Sequence, residues 1–469
     1  MKSGLDYKLS ELAQMKIHFI GIGGAGMSGI ARIMLAKGFS ISGSDKSDSS
    51  TLTTLKALGA KIYVGHSPEN LSDAQLVIVS SAITENNSEF AEAKSRGIPI
   101  AARAVALAWL MSESTSVAVA GTHGKTTTTA MLTVALQSAG LDPSFAIGGT
   151  INTAGINAHS GSGSIFVAEA DESDGSFLAY KPTGAVITNV ELDHVDHFPD
   201  EEAVYAVFED FIASIKGGGF LVACGDDPGV KTLLSRIKRN DLKIYLYGKG
   251  SSNDFRIDQI NLAPNSSRAI ISITGRKVGE LNLTVVGEHN LLNALAAFAA
   301  ATAMGGSEQK VLSGLKAFTG TRRRFELKGE VGGVKVIDDY GHHPTELVVT
   351  LKAARNLAGA GRVIVIFQPH RYSRTEAFAE QFSNALTLAD FTYLLEVYAA
   401  SEKPIPGVSS LLIARGMKTE EVKFEPSMLQ VVSDVADMAK SGDLILTLGA
   451  GDVSSLGDPI LQALASRFA

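Results

Sequence analysis

SVAVAGTHGKTTTT (116–129) is the stretch on which the fold turns. Its first residues are small or β-branched and apolar, as in a buried strand, and its last residues open a helix of about 14 residues. Between them runs a loop that ends in Lys125 and Thr126. A strand that passes through such a loop into a helix aims backbone N–H groups, at the positive end of the helix, toward an anion. This is the pattern of a P-loop for ATP. Gly121, Thr122, His123, Gly124 and Thr127 wrap the phosphates, Lys125 neutralises their oxygens, and the Thr126 hydroxyl binds Mg²⁺. The loop is a variant of G-x-x-x-x-G-K-[ST], because Val119 stands at its first position.

Upstream, the apolar run KIHFIGI (16–22) enters G-x-G-x-x-G at Gly21, Gly23 and Gly26, and Asp45 ends the next strand, where a ribose-binding acid would sit. The motif indicates a dinucleotide or a diphosphate without saying which; a nicotinamide-dependent dehydrogenase would also satisfy it. Further short strands at 39–43, 61–64 and 75–80, separated by helices, predict a parallel sheet covered on both faces. Downstream, strands at 164–169 and 184–189 run into AEADESDGS (168–176) and NVELDHVDH (189–197). Both clusters are expected at the carboxyl edge of the sheet beside the P-loop, with Glu169 and His194 holding the magnesium ion. A β-rich segment over 243–286 and an Ala-rich helix over 290–304 follow. In HNLLNALAA (289–297), Asn290 reads as an N-cap, and Asn293 shares its face and offers an amide to an adenine edge.

The pattern restarts at GTRRR (320–324), with strands at 332–340, 361–367, 389–397 and 442–450. The expected division is therefore three α/β domains, 1–112, 113–321 and 322–469. DDYGHHP (338–344) and QPHRYSRT (368–375) each follow a strand, and Arg371 and Arg374 offer planar forks of donors for a carboxylate or phosphate. Adjacent His342 and His343 point in different directions, so one of them at most faces a ligand.

Composition narrows the classes. The 469 residues are 45% hydrophobic and 19% charged, enough for sizeable cores. A net charge of −7 argues against a general nucleic-acid or membrane-surface binder. The single cysteine, Cys224, excludes an intramolecular disulfide and a cysteine-rich zinc site. Neither a secretion signal nor a spanning segment is legible, and a cytoplasmic protein is expected.

GIGGAGMSGIA (21–31), GTHGKTTT (121–128), EADESD (169–174), HNLLNALAA, RRFE (323–326), DDYGHHPTE (338–346) and FQPHRYSRT (367–375), in this order, resemble the Mur ligases over residues 16–469. The resemblance implies a Rossmann-like domain for a UDP-sugar, a central P-loop ATPase domain with a mostly parallel sheet, and a Rossmann-like C-terminal domain for the amino acid. It implies cytoplasmic peptidoglycan-precursor synthesis from small molecules, in which ATP activates the carboxylate of UDP-N-acetylmuramate as an acyl phosphate and L-alanine attacks it. A recycling member that attaches a murein tripeptide stays open as the alternative. On this resemblance Gly23, Gly24, Ala25, Gly26, Ser44, Asp45, His66, Ser80, Ser81, Arg103 and His123 belong to the UDP-sugar side. Asn293, Arg324 and Asp339 contact adenine or ribose, while Tyr340, His342, His370, Arg371 and Arg374 receive the amino acid. Several relatives carry a carbamylated lysine near a second metal; VYAVFEDFIASI (204–215) has no lysine, so none is expected here.

Overall fold

The computed structural model describes residues 7–80, 82–173 and 175–468, and comprises three α/β domains with mostly parallel sheets. The first sheet has five parallel strands, in spatial order Lys61–Val64, Ser40–Asp45, Lys16–Ile20, Leu76–Val79 and Ile100–Ala102. The order reverses beside Lys16–Ile20, and the glycine-rich turn leaves that strand for the helix Ala25–Ala36. A crevice at the carboxyl ends of the strands, where order reverses, is where such sheets take ligands.

The second sheet has ten strands. Lys243–Gly248, Phe220–Cys224, Gly184–Ile187, Thr115–Ala120, Ile165–Glu169 and Ser144–Ile151 lie side by side in parallel. Beyond Lys243–Gly248, Phe255–Ala263 adds in parallel and Ser266–Ile273 and Arg276–Leu283 follow antiparallel, while at the other edge Ile156–His159 pairs antiparallel with Ser144–Ile151. The Ser144–His159 hairpin was not anticipated: its run of Gly148, Gly149 and Gly155 reads as loop, and pairing with Ile165–Glu169 overrides that local preference. The third sheet has six strands, Glu326–Val331, Val334–Asp339, Leu444–Leu448, Val363–Phe367, Phe391–Leu394 and Val422–Phe424, parallel except for the first pair. Among the described residues no helix is long and apolar enough to cross a membrane.

The domains meet in two different ways. One apolar core runs from Ile17 and Phe19 of the first sheet and Met27 of the helix Ala25–Ala36, through Leu107 and Trp109 of the helix Arg103–Ser112, to Phe166, Phe177 and Phe208 of the central domain. Gly29 makes this contact close, since a Cβ there would lie 3.0 Å from the Ala158 methyl. The C-terminal domain instead packs two apolar clusters of its own, built from residues 334–464, and meets the central domain through charged and polar side chains.

Parallel pairing places Val119 beside Glu169 and Ala120 beside Ile187, so the P-loop and both acidic segments emerge at one edge. Gly121 makes that exit possible. It has φ +129°, and a Cβ on it would meet the Thr188 backbone nitrogen at 2.9 Å. Gly121→Ala is therefore expected to destabilise the central domain by about 1–3 kcal/mol, the scale of an unfavourable backbone conformation, measured as a lower melting temperature in calorimetry.

Candidate active site

A cavity of about 1130 Å³ opens between the P-loop, both acidic strand ends and the C-terminal domain. Lys125, the first residue of the helix Lys125–Ser138, folds back into it: Nζ donates to the carbonyls of Gly121 (2.7 Å) and Thr122 (3.0 Å) and to Glu172 Oε1 (2.9 Å). Burial disfavours its charge, but Glu172 and Asp171 outweigh burial and keep the ammonium above the ordinary lysine range. Burial in turn pushes Glu172 up to about 7, against the pull of Lys125. The lysine thus waits charged, paired with an acid that a phosphate can displace.

Thr126 Oγ1 donates to Glu169 Oε1 (2.8 Å), whose Oε2 accepts from Gly148 N (2.6 Å). Next to them Asp171, Glu172 and His194 bring one ligand atom each within 4.8 Å of one another. Glu172 Oε2 is buried with no hydrogen bond among the described residues. His194 stands at φ +51° with its pKa lowered by burial, a neutral imidazole. Hydroxyl and carboxylate oxygens with an orphaned buried acceptor suit a hard divalent cation such as Mg²⁺.

His123 Nε2 meets Glu191 Oε1 at 2.5 Å, and its Nδ1 meets Glu346 Oε1, on the C-terminal domain, at 3.2 Å. Glu346 also accepts from the backbone N–H of His342 (2.9 Å), and Thr345 Oγ1 donates to Glu191 (3.1 Å). A second cavity of about 250 Å³ adjoins this contact, lined by Asn290, Asn293, Phe318, Arg324 and Asp339 among others. Here Asn290 differs from expectation. Gly287 is the N-cap of the helix Glu288–Ala303, and the Asn290 amide reaches back to the Val286 carbonyl at 2.8 Å. Asn293 is free of that duty and lies against the P-loop, its Oδ1 2.7 Å from where a Cβ on Gly124 would stand. Asp339 is buried and accepts from Phe325 N (2.8 Å), Gly341 N (2.8 Å) and Thr350 Oγ1 (3.1 Å). Arg324 packs over Tyr340, 5.1 Å from the ring centre.

The arginine clamp read from the sequence is closed on the protein itself. Buried Arg374 donates through Nε (3.0 Å) and Nη2 (2.7 Å) to Asp193 Oδ1, and Arg371 pairs with Asp196. Burial would raise Asp193, but Arg374 holds it well below the usual carboxylate range. Arg374 therefore ties two domains together, and a ligand carboxylate would have to displace Asp193 to reach it. His342 and His370 line the large cavity with ring centres 5.7 Å apart; burial, helped by Arg374, lowers them to about 3 and about 4. His343 turns away, N-capping the helix Pro344–Ala358.

In the first domain Asp45 Oδ2 accepts from Gly23 N (2.8 Å), so the acid braces the turn. Gly24 and Ala25 are exposed beyond it. Arg103 lies over Gly26, its Nη1 2.9 Å from where a Cβ would stand, and lines a small cavity with Ala25 and Gly26 that reaches Glu169. Ser80 is half-buried beside Gly21; Ser81 lies outside the described residues. Ser44 is fully buried, its hydroxyl engaged by Glu89 and His66, so its expected direct contact with a ligand is corrected to a supporting place behind His66.

Glu172, Asp193, Glu191 and Glu346 were not singled out in the sequence. Glu172 and Asp193 lie inside the acidic motifs but are indistinguishable there from their neighbours. Glu346 had a local signal, since an acid three residues after a capping residue forms a capping box with His343.

Burial would lower His123, but Glu346 and Glu191 outweigh it and carry it up to about 10. Folded His123 keeps its proton long after an unfolded histidine, near 6.5, has released it, so this stabilisation is complete below pH 6.5 and is lost as pH rises toward 10. In urea titrations the gap in midpoint between the protein and His123→Gln is expected to be wide at pH 6.5 and to close by pH 10.

Three family models match in succession: Mur ligase family, catalytic domain, over residues 16–115; Mur ligase middle domain over 119–301; and Mur ligase, glutamate ligase domain over 323–451. The UDP-N-acetylmuramate–L-alanine ligase of Renibacterium salmoninarum is 49% identical over 451 residues, 96% of each chain. The enzyme of that name from Acidothermus cellulolyticus is 48% identical over 456 residues, 97% of this chain and 96% of its own. Among solved structures, the UDP-N-acetylmuramate-alanine ligase of Thermotoga maritima superposes with TM-score 0.81 at 29% identity, over 97% of this chain and 100% of that one. A murein peptide ligase from Psychrobacter arcticus gives 0.70 at 27% identity, over 96% and 99%. With these matches joined to the three-sheet architecture and the P-loop cavity, the chain belongs to the Mur ligase family.

Proposed function

We propose that the protein joins L-alanine to the carboxylate of UDP-N-acetylmuramate with ATP as phosphoryl donor, in cytoplasmic peptidoglycan-precursor synthesis. The observation that carries this reading is one cavity lined both by the P-loop residues Lys125 and Thr126 and by the C-terminal His342, His370 and Arg371. Relatives at 48–49% identity named for this reaction support it over tripeptide recycling. Residues 1–112 would hold the UDP-sugar, 113–321 the ATP, and 322–469 the amino acid. Gly23, Gly24, Ala25, Asp45, His66 and Arg103 would face the sugar nucleotide, and Asn293, Arg324 and Asp339 the adenosine.

In this reading the muramate carboxylate oxygen attacks the γ-phosphorus, the bond to the β-phosphate oxygen breaks, and ADP leaves. Bringing carboxylate and triphosphate together is opposed by about 4 kcal/mol per unit-charge pair at 4 Å and an effective dielectric of 20. Lys125 and the loop N–H groups offset that repulsion, Lys125 exchanging the Gly121 and Thr122 carbonyls for phosphate oxygens. Thr126, Glu169 and His194 would hold Mg²⁺, which supplies further positive charge against the triphosphate. The alanine amine, once neutral, attacks the acyl carbon; the tetrahedral intermediate collapses to the amide and expels phosphate. Its proton has acceptors at hand, since His342 and His370 are unprotonated near neutrality and the departing phosphate is a base.

The test is a coupled assay with UDP-N-acetylmuramate, ATP and Mg²⁺ against L-alanine and a murein tripeptide, with the amide identified by mass. Phosphate release that depends on L-alanine is expected; preference for the tripeptide would favour recycling, and ATP binding without acceptor-dependent release would remove the ligase reading. In the same assay Lys125→Ala is expected to lower turnover by roughly 10²–10³-fold, the scale of one lost electrostatic donor.

A further inference from the structure

Glu89 is the most deeply buried carboxylate of the first domain, fully inaccessible, yet no lysine or arginine pairs with it among the described residues. Burying an unpaired carboxylate costs several kcal/mol unless hydrogen bonds replace its water. Here they do. Oε1 accepts from Asn70 Nδ2 (2.6 Å) and from Ser67 N (3.3 Å). Oε2 accepts from the Ser44 hydroxyl, lies 3.1 Å from His66 Nδ1, and has His18 Nε2 at 3.7 Å. Burial would raise the Glu89 pKa, but the neighbouring His18 ring and the Ser44 and Asn70 donors bring it down to about 2.

The placement explains part of this. Glu89 is the second residue of the helix Ser88–Ser95, N-capped by Asn87, and an acid there is favoured by the helix dipole. A dipole needs only an exposed acid, however. Full burial against donors from the ends of two other strands asks for a further reason. Ser44 belongs to the strand Ser40–Asp45, and His66 follows the strand Lys61–Val64. Both lie at the carboxyl edge of the sheet, and Ser44 adjoins Asp45, which braces the glycine-rich turn. Of the Glu89 partners named for the sugar nucleotide, only His66 keeps a solvent-facing part, its side chain 20% exposed.

We propose that Glu89 is the positioning residue of the UDP-sugar site: with Ser44 it fixes the proton of His66 on Nδ1, so that Nε2 faces the nucleoside diphosphate sugar as a hydrogen-bond acceptor. The inference rests on the proposed function. Two acceptors converge on one ring nitrogen, Glu89 Oε2 at 3.1 Å and Ser44 Oγ at 3.0 Å, and Ser44 spends its own hydrogen on Glu89. Nδ1 therefore carries hydrogen, and in a neutral imidazole the other nitrogen is then the acceptor. The arrangement resembles carboxylate–histidine pairs that set the tautomer of a ligand-facing ring.

Glu89→Gln tests it. Both groups on Oε1 are obligate N–H donors, so the Gln carbonyl oxygen must take that side and its NH₂ must face His66. The ring is then forced to accept at Nδ1 and to carry its proton on Nε2. The KM for UDP-N-acetylmuramate is expected to rise about tenfold to a hundredfold, the scale of a buried N–H left facing a ligand O–H or N–H without an acceptor. The kcat and the KM values for ATP and L-alanine should stay within about twofold, the spread left by a distant, independent change. In ¹⁵N-histidine spectra, with the His66 signals assigned through His66→Asn, the proton should move from Nδ1 to Nε2. A folded variant with unchanged KM for the sugar nucleotide, or with an unchanged His66 tautomer, overturns the proposal. So does a His66 in the unsubstituted protein that carries its proton on Nε2, a measurement that stands whether or not Glu89→Gln folds. Failure of the unsubstituted protein to use UDP-N-acetylmuramate would instead overturn the function itself.

Discussion

A charged lysine held at the mouth of a loop by a buried acid organises the central domain. Lys125 can stay ionised away from water only because Glu172 and two loop carbonyls surround its ammonium, and Glu172 tolerates burial only because the lysine is there. Parallel pairing of Thr115–Ala120 with Ile165–Glu169 and Gly184–Ile187 delivers both partners to one sheet edge. The same edge carries Glu169, Asp171, Asp193 and His194, so acidic and basic groups concentrate within one cavity of a protein whose net charge is only −7. Arg371 and Arg374 are drawn to that edge by its carboxylates, which is how the C-terminal domain comes to sit over the loop.

What the sequence disclosed follows how local each signal was. A strand–loop–helix such as 116–129 contains its own reading, since the apolar run, the glycines and the lysine are contiguous. The same holds for the glycine-rich turn after Ile20 and for the Ala-rich helix Glu288–Ala303. The Ser144–His159 hairpin was hidden because its glycines mimic a loop, and only the neighbouring strand makes it sheet. Asn290 was misread for a related reason: Gly287, at φ +102°, takes the cap, and an amide inside the first turn looks the same in sequence as one preceding it.

Side-chain partnerships were less legible than elements. Arg374 and Asp193 are 181 residues apart, and no spacing rule links them. The two arginines were identifiable as forks, but not as forks already engaged by another domain. Ser44 shows the opposite limit: a polar residue at a strand end is the right type for ligand contact, and only the fold reveals that it is fully buried behind His66. Glu89 looks in sequence like any acid in the first turn of a helix, and its isolation from cations becomes visible only when the chain is folded around it.

The unlike seams between the domains have a mechanical consequence. Oil-like packing from Phe19 through Trp109 to Phe208 has no direction along which it slides without exposing hydrocarbon, so the first two domains behave as a single block. The other seam is a set of ion pairs and hydroxyl contacts, whose groups water can solvate once the surfaces part. Three domains therefore amount to two mechanical units. On the proposed function, the sugar nucleotide and the triphosphate would keep a constant separation on the block, and the acceptor would arrive on the other unit.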